Sequence, residues 1–274
     1  MRTILLILLT ALTATAQTYD SPQSIAYART LQSAGVTLRA KDILMLRTIA
    51  TRFSLNGSVG GKQFVDLTGT VLAHNPVIGN TGTAHAIDYV TLGTSTFSGA
   101  PVQNDGNIAL NGSTQFMVSD VVRSSMPQNS IHYTYSTLTS SGACACGEFF
   151  TGTTSLADVM RLNYTGGNFF ASLGTNPSTS TSQVSTGTAD VFTITRNNST
   201  QISIYKGGAA YSVNPFSNTT TGLPVGNINI GGTATGFLGN KSNRSIYGYT
   251  IGLTVSAAQA LAISNLLKDE IAVK

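Results

Sequence analysis

Tryptophan is absent from this chain, so a glycan site that stacks its sugar on a ring would have to use Tyr or Phe. Charge is scarce too. Only 9% of residues are Asp, Glu, Lys or Arg, against roughly 25% in ordinary soluble domains. The surface must therefore be built from Ser, Thr, Asn and Gly. That excludes long charged helices, and it excludes a disordered chain, which needs high net charge. It suits β-rich extracellular and virion proteins. The net charge is a mild +4. Basic residues are scattered, apart from Arg39, Lys41, Arg47 and Arg52 on one predicted helix. Their spacing fits a solvated helix face, because a nucleic-acid footprint needs a denser patch.

Acid pairs are missing. A glycosidase needs two carboxylates about 5–10 Å apart, and no two acidic residues here stand at i, i+2. Glutamate occurs only as Glu148 and Glu270. Glu148, next to Phe149 and Phe150, is the best single candidate for an acid, and Asp158 is the next carboxylate after it. There is no G-x-S-x-G elbow, no phosphate-binding loop and no dinucleotide fingerprint. No catalytic residue is therefore assigned. His74, His85 and His132 lie far apart. His132 sits in an alternating strand with Tyr133 and Tyr135 and reads as structural. His74 and His85 flank a Gly/Asn-rich loop with Asn75, Asn80 and Asp88, where metal binding or lyase chemistry is the alternative reading.

The two cysteines, Cys144 and Cys146, stand only two apart. On a regular strand their Cα atoms would be about 7 Å apart, the limit of disulfide reach. Buried thiols, a strained disulfide and half a metal site all stay open. The best local cluster of oxygen donors is Asn104, Asp105, Asn107 and Asn111. It is the calcium candidate, although Asx turns explain the same residues without an ion.

A short basic start, the apolar run Ile4 to Leu12 and Ala14-Thr15-Ala16 have the layout of a secretory signal over residues 1–16. The apolar run is shorter than the roughly 20 residues of a membrane-spanning helix. No stable transmembrane anchor is expected, and the location implied is extracellular or at a virion surface.

Ser21-Pro22 starts one predicted helix, Pro22 to Ala34. A second runs from about Thr37 to Phe53 and ends before Asn56-Gly57, so residues 17–57 form an αα-hairpin. From residue 58 the text is strand and turn. Predicted strands include Gln63–Leu67, Ala86–Leu92, Asn107–Leu110, Gln115–Val118, Ile131–Leu138, Gly147–Phe150, Val159–Tyr164 and Asn168–Leu173. Asp190–Arg196 and Thr200–Tyr205 are separated by a turn at Asn197-Asn198-Ser199. Ser256 and Gln259 form a capping box for a last helix, with Ala260, Ile263, Leu267 and Ile271 on one face.

The order Ile204-Tyr205-Lys206-Gly207-Gly208, Ile230-Gly231 and Ile251-Gly252-Leu253-Thr254-Val255-Ser256 resembles the end of laminin-G-like and concanavalin-A-like domains. Ile108 to Met117 is similar to a hairpin near their start, with Asn111 and Gln115 where the pattern has Asp. Residues 26–44, with Ala34-Gly35-Val36-Thr37-Leu38, resemble the helical hairpin of a group of bacteriophage structural proteins, though Val36 replaces their second glycine. These resemblances imply a mainly β, jelly-roll sandwich over 58–274 with an N-terminal αα-hairpin and a short C-terminal helix. They imply a non-catalytic exterior module, structural or host-surface-binding in a virion or adhesive when secreted. Cell-surface glycan, further copies of the chain or virion neighbours are the candidate partners. The alternative is an exported glycan-active enzyme, a glycoside hydrolase or polysaccharide lyase, on the same fold. A purely architectural subunit is the third reading.

Overall fold

The computed structural model describes residues 21–137, 146–152, 157–164, 168–175, 190–211, 216–217, 222–232 and 245–274. The expected signal segment and Cys144 lie outside these residues, as does the side chain of Cys146. No described helix is long and apolar enough to cross a membrane.

The two predicted helices form as α1 (Pro22–Ser33) and α2 (Ala40–Arg52). The Ser21 hydroxyl accepts the Ser24 N–H at 3.1 Å, and Pro22 sits at the first helical position, where no N–H is needed. α2 starts three residues later than expected, because the Asp42 carboxylate turns back to the Arg39 N–H at 2.9 Å and fixes the cap there. A hairpin of β1 (Gly57–Val59) and β2 (Lys62–Phe64) follows, then β3 (Val71–Asn75).

The strand expected over Ala86–Leu92 does not form. Thr81 caps a short helix α3 (Gly82–Ala86), and the Asp88 carboxylate then closes a loop by accepting the Val90 and Thr91 N–H groups at 2.8 and 2.9 Å. Here local side-chain bonding defeats β propensity. Next come β4 (Thr96–Ser98), β5 (Val102–Asn104), β6 (Asn107–Ala109), β7 (Phe116–Val122) and β8 (Ile131–Thr137). The chain continues through β9 (Cys146–Gly152), β10 (Ala157–Tyr164), β11 (Asn168–Thr175), β12 (Asp190–Arg196) and β13 (Gln201–Lys206). It ends with β14 (Ala209–Ala210), β15 (Phe216–Ser217), β16 (Asn227–Ile230), β17 (Gly248–Gly252) and helix α4 (Ala257–Ala272).

Two antiparallel sheets face each other. One has six strands in the order β11-β10-β9-β16-β7-β4. The other has seven, β14-β13-β12-β8-β17-β3, with β15 also on β13. The late strand β17 is inserted between β8 and the early β3, so the chain ends pair inside one sheet. Between the sheets lies an apolar core that includes Met117, Tyr133, Tyr135, Met160, Phe192, Ile194, Ile230 and Ile251. A second core covers the outer face of the seven-stranded sheet and joins α1, α2 and α4 through Tyr27, Leu31, Leu46, Ile49, Ile263 and Leu267. The seven-stranded sheet is thus a middle layer. This is a mainly β sandwich with helices from both ends of the described chain packed on one side.

α4 carries the predicted capping box, with Ser256 and Gln259 bonded in both directions. The Gly-rich tip after β13 meets its backbone. A Cβ on Gly208 would lie 2.6 Å from the Leu261 Cα, so only glycine allows that approach.

Candidate functional site

Four segments converge at one edge of the fold. They are the turn between α1 and α2, the loop from β3 to α3, α3 itself, and the tip of the β5–β6 hairpin. Between the first two lies a cleft of about 510 Å³ with a mixed lining, apolar at Ala34 and Val36 and polar at Thr37, Arg39, Asn80 and Thr81.

The wall at 76–81 is held by a chain of specific bonds. Val77 is β-branched yet sits in the left-handed region at φ 50°, which costs of order 1–3 kcal/mol. The Asn75 side chain compensates by accepting the Val77 N–H at 2.8 Å and donating to the His85 carbonyl at 2.8 Å. The Gly79 carbonyl accepts the Gly106 N–H at 2.8 Å and His85 Nε2 at 3.0 Å, tying the hairpin tip and α3 to the loop. His85 Nδ1 meets the Gln103 side-chain amide at 2.6 Å. Burial pushes the His85 pKa down, against the pull of its contacts with the Gly79 carbonyl and the Gln103 side-chain oxygen, and the ring serves as a structural pin.

Of the calcium candidates only Asp105 is tied to a residue lining this cleft, through Arg39, and the four do not form one cradle. The Asp105 carboxylate accepts Arg39 Nη1 and Nη2 at 2.8 and 2.7 Å and Lys41 Nζ at 2.5 Å. The Arg39 hydrogen bonds hold its pKa at about 2. Asn104 donates to Asn107 at 3.1 Å. Asn111 caps its own turn, accepting N–H groups from Ser113, Thr114 and Gln115. One carboxylate already matched by two cations is a poor start for calcium, which takes six to eight oxygens and favours several carboxylates. Among the described residues no group of three or more His, Cys, Asp or Glu could hold a metal.

The loop histidines are parted as well. His74 points to the helical layer, where its Nε2 contacts Glu270 at 2.7 Å and both side chains are fully buried. Burial lowers the His74 pKa, but the Glu270 charge and hydrogen bond outweigh that and raise it overall. His132 is structural, as expected. Its ring bridges the Leu253 carbonyl at 2.6 Å and the Thr250 hydroxyl at 3.0 Å. The Glu148 side chain lies outside the described residues.

Asp158 is no partner for an active-site acid. It is locked in the sandwich interior by Arg123, by the Tyr133 hydroxyl at 2.7 Å and by the Gly174 N–H at 2.5 Å. The cleft residues Thr37, Asn80 and Thr81 carried one signal in the sequence, the Gly/Asn-rich loop around Asn80. Nothing local linked that loop to Thr37, which the helical hairpin brings across.

Neither a protein-family model nor a curated protein matches the chain. Solved structures do. The chain is similar to Trypanosoma rangeli sialidase in its covalent intermediate with 2,3-difluorosialic acid, with a TM-score of 0.58 and 11% identity over 90% of this chain. It is similar to a single-site mutant of HCR/D, with a TM-score of 0.52 and 12% identity over 72% of this chain. Domain 4 of an extracellular arabinanase from Geobacillus stearothermophilus, bound to arabinotriose, aligns at a TM-score of 0.47 and 14% identity, covering 71% of this chain and 98% of that one. The chain spans 39% of the sialidase and 52% of HCR/D. At such identities the likeness concerns the backbone alone: the chain has a lectin-like β-sandwich fold.

Proposed function

We propose that this chain is a non-catalytic β-sandwich module at an exterior surface, secreted or on a virion, and that its cleft between the helical hairpin and the 76–81 loop takes a glycan. The observation that carries the reading is the cleft's lining. Thr37, Asn80, Thr81 and Thr83 offer hydroxyl and amide groups, and Gly35 leaves backbone accessible. Sugars are recognised by such donors and acceptors. The lining holds no Tyr or Phe, so the cleft would hold its sugar by hydrogen bonds and not by ring stacking. The cleft has no carboxylate in its lining, and Asp42 and Asp105, which bond the lining residue Arg39, are both held in ion pairs. The two carboxylates of a glycoside hydrolase would have to come from outside this cleft. The sialidase likeness supports a setting among carbohydrate proteins through the fold, without transferring an activity.

The test is a glycan array followed by calorimetric titration of the best ligand. Asn80→Ala should weaken binding roughly five- to tenfold, the value of one hydrogen bond to a neutral sugar, with melting temperature unchanged. Polysaccharide panels should show no release of reducing sugar. Turnover that disappears in Glu148→Gln would promote the glycan-active enzyme instead. An empty array combined with a defined oligomer would favour the architectural subunit.

A further inference from the structure

We propose that Asp88 and Asp120 bind a hard divalent cation of the calcium class, between the 88–93 loop and strand β7. Both carboxylates are bonded to one residue, Thr91. Asp88 Oδ1 accepts the Thr91 N–H at 2.9 Å, and Asp120 Oδ2 accepts the Thr91 hydroxyl at 2.6 Å. Each carboxylate then has one oxygen left over. Asp88 Oδ2 and Asp120 Oδ1 are both buried with no hydrogen-bond partner among the described residues. Asp88 as a whole is fully buried.

A buried carboxylate oxygen without a partner is costly, and two neighbouring ones are costlier. No described Lys or Arg pairs with either acid. A bound cation removes this penalty directly.

Two further features fit an ion. Asp120 Oδ2 lies against the loop backbone, where a Cβ on Gly93 would be 1.8 Å from it, so the missing side chain makes room for the carboxylate. A cavity of about 330 Å³ that Thr91, Asp120 and Ser125 help to line opens on the Asp120 side of the site. Water entering there would complete a coordination shell of six or more oxygens. This site is separate from the Asn104–Asn111 cluster.

The experiment uses the full chain, stripped with a chelator and then titrated with calcium, magnesium and manganese. Melting temperature should rise with added cation and saturate. Terbium emission sensitised by the nearby tyrosines should appear and be displaced by calcium. Asp120→Asn keeps the Thr91 contact and should weaken the cation about tenfold or more. Should that variant not fold, Asp88→Asn replaces it, keeping the oxygen that accepts the Val90 and Thr91 N–H groups, with a similar loss of affinity in the same assays. A melting temperature indifferent to all three cations would overturn the proposal, and so would an equal response in wild type and Asp120→Asn. A wild type that ignores cations but loses stability as pH rises from about 4 to 6 would show the two acids sharing a proton instead.

Discussion

The two faces of the seven-stranded sheet are both buried, yet they are built from different chemistry. Toward the six-stranded sheet the side chains are Tyr133, Tyr135, Phe192, Ile194, Ile204 and Ile251. Toward the helices β8 and β12 place His132, Thr134, Ser136, Thr193 and Thr195, all buried. The apolar face is held by area, and the buried Arg123–Asp158 pair within it is clamped from several sides, with Arg196 buried close enough to feel both charges. The helical face is held by partnering. Thr134 meets Thr193 at 2.9 Å, Ser136 donates to the Gly248 carbonyl at 2.9 Å, and Thr195 donates to the Ile131 carbonyl at 3.1 Å. Burial on this face demands a definite register, because each hydroxyl must find its own acceptor. Small side chains also let α4 come close, as a Cβ on Gly248 would lie 3.0 Å from the Leu267 methyl.

The sharpest way to break the comparison is to remove the ion from the apolar side. Arg123 is fully buried and its charge is matched by Asp158, with the Met126, Pro127 and Gln128 carbonyls taking the rest of its guanidinium. Asp158→Ala should cost about 3–5 kcal/mol, since it leaves a buried charge without a counterion. Replacing both residues together, as Arg123→Met with Asp158→Leu, should cost less than the single change. Urea unfolding of the three variants measures this. A single-variant loss under about 1 kcal/mol would mean that water reaches the pair.

The apolar face was largely legible in the sequence, because alternation in Ile131–Leu138, Asp190–Arg196 and Thr200–Tyr205 marks strands directly. The helix starts were legible through Ser21-Pro22 and through Ser256 with Gln259. What stayed hidden depends on distant partners. Nothing near His74 announces Glu270, and nothing near Asp88 announces Asp120. β3 was missed because Val71 to Asn75 is short and runs into Asn75-Pro76, which reads as a turn. The calcium cluster at Asn104–Asn111 was a reading of local letters. Its only carboxylate answers to Arg39 and Lys41 on another element.

The two histidines of the helical face should titrate apart. Burial pushes the His132 pKa down to about 4, and the hydrogen bond to the Leu253 carbonyl only partly opposes that. Its folded value lies below the unfolded one, so its contribution is complete at neutral pH and is lost as pH falls from about 6.5 to 4, up to about 3 kcal/mol. His74 shifts the other way, raised by Glu270 against the pull of burial. Its contribution is complete below the unfolded value and is lost as pH rises through the folded one. Imidazole resonances followed by NMR check both, and Glu270→Gln should bring the His74 pKa down. Two histidines titrating together near 6.5 would mean the helical layer does not exclude water.

The smallest effect tests whether partnering holds the polar face. Thr134 and Thr193 lie opposite each other in the β8–β12 register and share one hydrogen bond at 2.9 Å. Thr→Val keeps shape and volume and removes only the hydroxyl. Either single change leaves a buried hydroxyl without its partner and should cost about 1–2 kcal/mol. Changing both leaves two methyl groups in contact, which suits a β-branched pair in a sheet. The double variant should therefore be more stable than the sum of the two losses, by about 1 kcal/mol. Denaturant unfolding of the wild type, both singles and the double supplies the cycle. Strictly additive losses would show that each threonine is satisfied elsewhere, and that this face tolerates polar burial without pairing across the strands.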